Sequence, residues 1–154
     1  MEAVAIRGRK TVAFALLLLV AFLAQGVRAT DADAASTRRT TMLSLTNEDR
    51  ADRDRRALSL DANLSKYAKQ HSRDMASKGY LFHTEDLAAK LKDRDWSIGG
   101  ENVGVGSSLP SLEDAFMRSK PHRENILRKA FDHSAIGIYT DADDNIWVTV
   151  IFYG

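Results

Sequence analysis

Residues 119–127 read Ser-Lys-Pro-His-Arg-Glu-Asn-Ile-Leu. A proline fixes its own φ angle and has no N–H to donate inside a helix, so Pro121 interrupts the preceding helix or begins a new one. The apolar pair at 126–127 continues a helical pattern after it. His122 lies at this junction, with Glu124 two positions later.

Helices are predicted on the N-terminal side of this stretch. A sparse apolar pattern with alternating charges predicts a surface helix around residues 42–56, with its charged side in solvent. Apolar residues from Leu64 to Met75, with His71 among them, recur at helical spacing, so a second helix is expected with Asp61 as its cap and Gly79 at its end. Shorter helices are expected from Thr84, and after a capping box formed by residues 111–114.

Strands are predicted at three places. Residues 98–106 are rich in glycine with alternating valines, and residues 135–140 and 145–153 form two apolar runs joined by Asp141-Ala142-Asp143-Asp144. Such a pair predicts an antiparallel hairpin. Helices followed by mixed strands indicate an α+β class, with helices packed on an antiparallel sheet.

The N-terminal segment has the three parts of a secretory signal. Residues 7–10 include three basic side chains, residues 12–24 are thirteen apolar residues, and small residues at Val27 and Ala29 form a cleavage site. The apolar run is short of the ~20 residues that span a bilayer, which disfavours an uncleaved anchor. We therefore predict a signal peptide at 1–29, a flexible leader at 30–39 and one domain at 40–154, with no transmembrane segment after cleavage.

Charge and cysteine content exclude several function classes. The chain has 22 Lys and Arg and 21 Asp and Glu, and removal of residues 1–29 leaves 18 basic and 20 acidic residues. No excess of basic charge remains to neutralise phosphates, so a nucleic-acid partner is not expected. The absence of cysteine from the sequence excludes disulfides, thiolate nucleophiles and cysteine-ligated zinc.

Three motifs appear in order along the chain: residues 71–76 followed by Leu81-Phe82-His83, then Gly100-Glu101-Asn102-Val103, then residues 119–127. Residues 136–138 and Trp147 follow them, and Asn47 and Arg50 precede them. In this order the motifs resemble the CAP superfamily of cysteine-rich secretory proteins, antigen 5 and plant pathogenesis-related proteins. The sequence is most similar to the bacterial, cysteine-free SCP-like domains of that superfamily, over residues 42–153.

The resemblance implies an α-β-α sandwich with a surface cleft lined by two histidines and two glutamates. His83 and His122 match the histidines and Glu101 matches one glutamate, so these three are the expected ligand-binding residues. Ser119 stands where the second glutamate is usual. Of the other two histidines, His71 is expected in the core and His133 on the surface.

Two imidazoles and a carboxylate in one cleft leave three chemical roles open. His83 and His122 could bind zinc or another divalent cation, the group could act as general acid and base, or it could hold the helices together by hydrogen bonds. The favoured function is a secreted, non-catalytic extracellular binding module for a small ligand, lipid or peptide, with association with the cell envelope left open. The alternatives are an extracellular hydrolase acting on peptide or cell-envelope material, and a structural domain with a relic cleft.

Overall fold

The centre of the fold is a four-stranded sheet with the strand order β1-β3-β4-β2. Its strands are β1 (Ser59–Leu60), β2 (Gly99–Gly106), β3 (His133–Thr140) and β4 (Ile146–Tyr153). β3 and β2 both pair antiparallel with β4, whereas the two-residue β1 pairs parallel with β3. β2 therefore forms one edge of the sheet.

Five helices cover the two faces of this sheet in the computed structural model, which describes residues 31–154. They are α1 (Asp31–Ala51), α2 (Leu64–Lys78), α3 (Leu87–Leu91), α4 (Leu109–Arg118) and α5 (Lys120–Ile126). Residues 34–154 form one compact unit. The signal peptide predicted at 1–29 lies outside the described residues. Among those residues, no helix is long and apolar enough to cross a bilayer.

Strand β4 shows why the domain has two helical layers. Val148, Val150 and Phe152 join one buried cluster with residues of α1, α4 and α5. Ile151 and Tyr153 join a separate cluster with residues of α2 and α3. Because successive side chains of a strand point to opposite faces, β4 is apolar on both. The predicted α+β class and α-β-α sandwich are confirmed.

Helix α2 packs against β3 at a single glycine. A Cβ atom built on Gly137 would lie 1.9 Å from the backbone carbon of Ala68, so no larger residue fits between the helix and the strand. Ser65 Oγ accepts a hydrogen bond from the N–H of Ile136 at 3.0 Å, and Ser72 Oγ donates to the carbonyl of Gly137 at 3.1 Å. This close approach fixes the position of α2, whose C-terminal end leads to His83.

Arg50 is fully buried although it belongs to the charge-dense segment that the sequence assigned to the surface. Its guanidinium donates to four backbone carbonyls, those of residues 56, 126, 128 and 131, at 2.6 to 3.1 Å. Burial lowers the pKa of Arg50, and the nearby charges of Arg55 and Arg56 lower it further. Arg50 thus ties α1 to the segment that leads from α5 into β3.

Helix α1 begins at Asp31, within the segment for which the sequence predicts a flexible leader at 30–39. Arg38 Nη1 donates to Thr140 Oγ1 at 2.7 Å, which attaches this part of the helix to the end of β3. The segment lacks an apolar stripe, so its own sequence gave no helical signal. Its helical structure continues from the packed part of α1, which begins with the buried Met42. The domain boundary placed at residue 40 stays a prediction.

Two predicted helix starts were also wrong. The cap of α4 is Ser108, whose side chain accepts from the N–H of Ser111, so Ser111 lies inside the helix rather than before it. The short helix α3 begins after Asp86 and not at Thr84. In each case a hydroxyl residue near the true start matched the capping pattern by type but was displaced by two or three positions.

Candidate functional site

His83 and Glu101 form a hydrogen-bonded pair on the side of β2 that faces α2. His83 Nδ1 lies 2.8 Å from Glu101 Oε1, and the side chains are 62% and 4% exposed, respectively. Because a carboxylate oxygen only accepts, Nδ1 carries the proton. The buried carboxylate therefore fixes the tautomer and orientation of an exposed imidazole, and leaves Nε2 directed away from the pair.

Thr84 completes the support of this carboxylate. Its N–H donates to Glu101 Oε1 at 2.9 Å and its hydroxyl donates to Oε2 at 2.5 Å. Tyr67 OH in turn donates to Thr84 Oγ1 at 3.1 Å. Sequence reasoning missed Thr84 and Tyr67 as site residues, since Thr84 had been assigned to a helix start. Its position next to His83 was the one available signal.

His122 lies in the first turn of α5. Asn102 Nδ2 donates to the backbone carbonyl of His122 at 3.1 Å. Asn125 Nδ2 donates both to the carbonyl of Glu101, at 3.2 Å, and to Asn102 Oδ1, at 2.9 Å. Both amides thus bind backbone carbonyls around the cleft. Within the motif Gly-Glu-Asn, Glu101 thus binds the side chain of His83 and Asn102 binds the backbone of His122.

The ring of His122 is partly enclosed. Its centroid lies 5.1 Å from that of Phe116. Burial lowers the pKa of His122, and the nearby charge of His83 lowers it further. The two predicted histidines are therefore near enough to interact electrostatically.

Within residues 31–154, no carboxylate takes the place of the second glutamate that the resemblance implies. Ser119 is the residue before α5, and its side chain makes no capping hydrogen bond. Glu113 is one turn and a half earlier in α4, but it is buried facing Thr46 and Asp49 of α1, away from His122. Glu124 is exposed on α5, 3.9 Å from Lys120 Nζ.

An open pocket of about 490 Å³ adjoins His83. It lies between α2 and the segment leading into α3, and it is lined by aromatic, basic and acidic side chains: Tyr67, His71, Lys78, Phe82, His83, Thr84, Glu85, Asp86 and Lys90. The volume falls within the ~300–1,000 Å³ of small-molecule sites. His83 is thus held at the edge of a space large enough for a ligand.

The donor set does not fit a closed zinc site. Glu101 uses both carboxylate oxygens on His83 and Thr84, which leaves two imidazoles as donors. In the part of the chain that the structure describes, no group of three or more His, Cys, Asp and Glu residues is placed to hold a metal ion. Structural zinc sites use four protein ligands and catalytic sites commonly three. Zinc binding by His83 and His122 alone stays a prediction.

Solved structures with the same fold come from proteins of low sequence identity. An outer surface protein of Borrelia burgdorferi superposes with a TM-score of 0.68 at 19% identity, covering 76% of this chain and 92% of that one. An extracellular protein of Bacillus anthracis that contains an SCP domain superposes with a TM-score of 0.63 at 24% identity, covering 74% of this chain and 39% of that one. These likenesses show the fold.

Sequence comparison shows the family. The uncharacterized protein YkwD of Bacillus subtilis strain 168 is 34% identical over 113 residues, which are 69% of this chain and 43% of that protein. The chain thus spans less than half the length of this relative. The model of the cysteine-rich secretory protein family matches residues 43–152. The resemblance seen in the sequence is confirmed, and the chain belongs to the CAP family as a cysteine-free, SCP-like member of the bacterial type.

Proposed function

We propose that this protein is a secreted, extracellular binding module that holds a small ligand, lipid or peptide at His83, Glu101 and His122 without catalysing a reaction. Two observations support an extracellular location. The sequence begins with the pattern of a secretory signal, and the Bacillus anthracis and Borrelia burgdorferi relatives are described as extracellular and outer-surface proteins.

The observation that carries the binding role is the contrast between Glu101 and His83. The Glu101 side chain is only 4% exposed and accepts three hydrogen bonds. One of these bonds orients the imidazole of His83, which is 62% exposed beside the pocket. A structural histidine would direct its ring into the core, as His71 does when its Nε2 meets the carbonyl of Phe82 at 2.9 Å. An oriented but exposed ring supports a role in contacting a ligand.

The geometry favours binding over hydrolysis. A serine nucleophile requires a general base within hydrogen-bond reach and donors for the oxyanion. Ser119, three residues before His122, makes no hydrogen bond to it in the described residues, and the sequence has no cysteine. Loss of peptide or ester hydrolysis on replacing His122 with alanine, in a folded variant, would favour the hydrolase instead.

The binding role can be tested by NMR on the purified, ¹⁵N-labelled protein. Sodium laurate and trialanine serve as lipid and peptide probes, and the imidazole resonances of His83 and His122 are followed during titration. We expect at least one probe to shift them, and Glu101→Gln to weaken that binding about threefold or more because the amide holds His83 less strongly. Glu48→Gln, an exposed change on α1, is the matched control.

Two results would contradict the proposal. One is that neither probe shifts either histidine at about 10 mM, a concentration that detects binding in the millimolar range. The other is that Glu101→Gln binds as well as Glu48→Gln. Zinc chloride alone tests the metal prediction separately: unshifted imidazole resonances at about 1 mM zinc would remove zinc from the proposal.

A further inference from the structure

The floor of the pocket beside His83 is a row of three rings. Tyr67 and His71 are stacked with centroids 6.1 Å apart, and His71 meets Phe82 edge-on at 4.9 Å. We call Tyr67, His71 and Phe82 the aromatic row. Aromatic rings that line a pocket can pack against another aromatic group, either stacked or edge-on.

A lysine ammonium lies over each end of the aromatic row. Lys90 Nζ is 4.7 Å from the centroid of Tyr67, and Lys78 Nζ is 4.3 Å from that of Phe82. Both distances are within the ~6 Å of a cation–π contact. Across residues 31–154, neither ammonium forms an ion pair with a carboxylate. Two positive charges therefore border the pocket without an anionic partner in the described protein.

The two acidic residues that line the pocket do not neutralise these lysines. Asp86 directs Oδ1 to the N–H of Ala89 at 2.9 Å, where it caps α3. Glu85 is exposed and forms no ion pair with either lysine in the described part of the chain. The ammonium groups thus remain available to an anion that enters the pocket.

We propose that this pocket binds an organic anion with a flat apolar body, whose ring lies on the aromatic row and whose acidic group pairs with Lys78 or Lys90. The inference rests on the proposed binding function and narrows its ligand to an aromatic anion, such as a peptide that ends in an aromatic residue with a free carboxylate. The match is one of charge as well as shape, since each ammonium exchanges a weak contact with a ring for a charge-assisted hydrogen bond.

The test uses two probes that differ only in charge. N-acetyl-tryptophan carries a carboxylate, and N-acetyl-tryptophanamide is its neutral counterpart. Binding is measured from backbone NMR shifts of the purified protein. We expect the acid to bind at least about threefold more tightly than the amide, with the shifts centred on the aromatic row, and this preference to shrink as salt screens the lysines.

Lysine variants test whether the preference for the acid comes from Lys78 and Lys90. Lys78→Met and Lys90→Met keep most of the apolar stem, and each is expected to weaken binding of the acid about two- to fivefold while leaving the amide unchanged. Lys69→Met, on the exposed side of α2, is the control. All three lysines are exposed, so the variants should unfold at nearly the same temperature as the original protein.

The inference is overturned if the acid and the amide bind equally, if neither binds at about 20 mM, or if both pocket variants match Lys69→Met. These outcomes are distinct from failure of the proposed function. Shifts of His83 and His122 with laurate or trialanine, together with unaffected lysine variants, would reject only the aromatic anion. A charge-dependent effect at Lys78 and Lys90 without any response of either histidine would reject the histidine cleft and retain this pocket.

Discussion

Replacing Glu113 with glutamine is expected to stabilise the protein above pH 7 and to have little effect near pH 4. Glu113 is 2% exposed on the side of α4 that faces α1. The hydroxyl of Thr46 lies beside it, yet neither this oxygen nor the two carboxylate oxygens have a partner of full hydrogen-bond geometry in the described residues. Ionisation at this position therefore places an uncompensated charge in the interior.

The size of the effect follows from the pKa. Burial raises the pKa of Glu113 from 4.5 to about 7; Thr46 opposes the shift, while Asp49 and Asp114 add to it. In the folded protein the group keeps its proton to higher pH than in the unfolded chain. Its favourable contribution to the free energy of unfolding is thus complete below about pH 4.5 and is lost as pH rises to about 7. That difference corresponds to about 3 kcal/mol as an upper value.

The assay is urea unfolding followed by the fluorescence of Trp96 and Trp147 at several pH values between 4 and 8. The quantity of interest is the difference in free energy of unfolding between Glu113→Gln and the original protein, because other titrating groups cancel in it. We expect this difference to grow by roughly 1–3 kcal/mol from pH 4 to pH 8. Glu124→Gln, on the exposed surface of α5, is the matched control. A difference for Glu113→Gln that does not change with pH would refute the reasoning.

Three further predictions concern other sites. Arg50→Met should lower the free energy of unfolding by about 3–5 kcal/mol because four backbone carbonyls lose their donor. Urea unfolding at pH 7 measures this free energy, and a decrease below about 1 kcal/mol would contradict the prediction. Gly137→Ala should prevent folding, since its Cβ would meet the backbone of α2. Gly79→Ala, at φ 75°, should fold but lose about 1 kcal/mol of the free energy of unfolding, so circular dichroism should show helical signal for this variant and not for Gly137→Ala. The pKa of His122 should lie below that of an ordinary histidine, and His83→Gln should raise it because the charge of His83 is removed. The pKa is measured by ¹H NMR titration with a chelator present, and an unchanged pKa of His122 in His83→Gln would contradict this prediction.

The strands could be predicted because the patterns that indicate them are local. Residues 98–106, 135–140 and 145–153 correspond closely to β2, β3 and β4, since alternation and turn residues are properties of a few neighbouring positions. His83, Glu101 and His122 were found through the motifs around them. The structure brings the side chains of His83 and Glu101 together, and Asn102 binds the backbone carbonyl of His122.

The unpredicted features all depend on partners far away in the chain. Arg50 resembles its exposed neighbours in sequence, and only the carbonyls at 126, 128 and 131 make its burial possible. Thr84 has the side chain of a helix cap, but Glu101 is a stronger acceptor and recruits both its N–H and its hydroxyl. Helix α1 extends to Asp31 although that segment has no apolar stripe. Local patterns cannot report such contacts.

The buried guanidinium of Arg50 also has a consequence for the conditions under which the chain can fold. It connects points 76, 78 and 81 residues apart, a span over which small exported domains often use a disulfide. Like a disulfide it joins distant segments, but it forms without an oxidant and breaks without a reductant. The fold is therefore independent of redox potential, and refolding carries no risk of mispaired thiols.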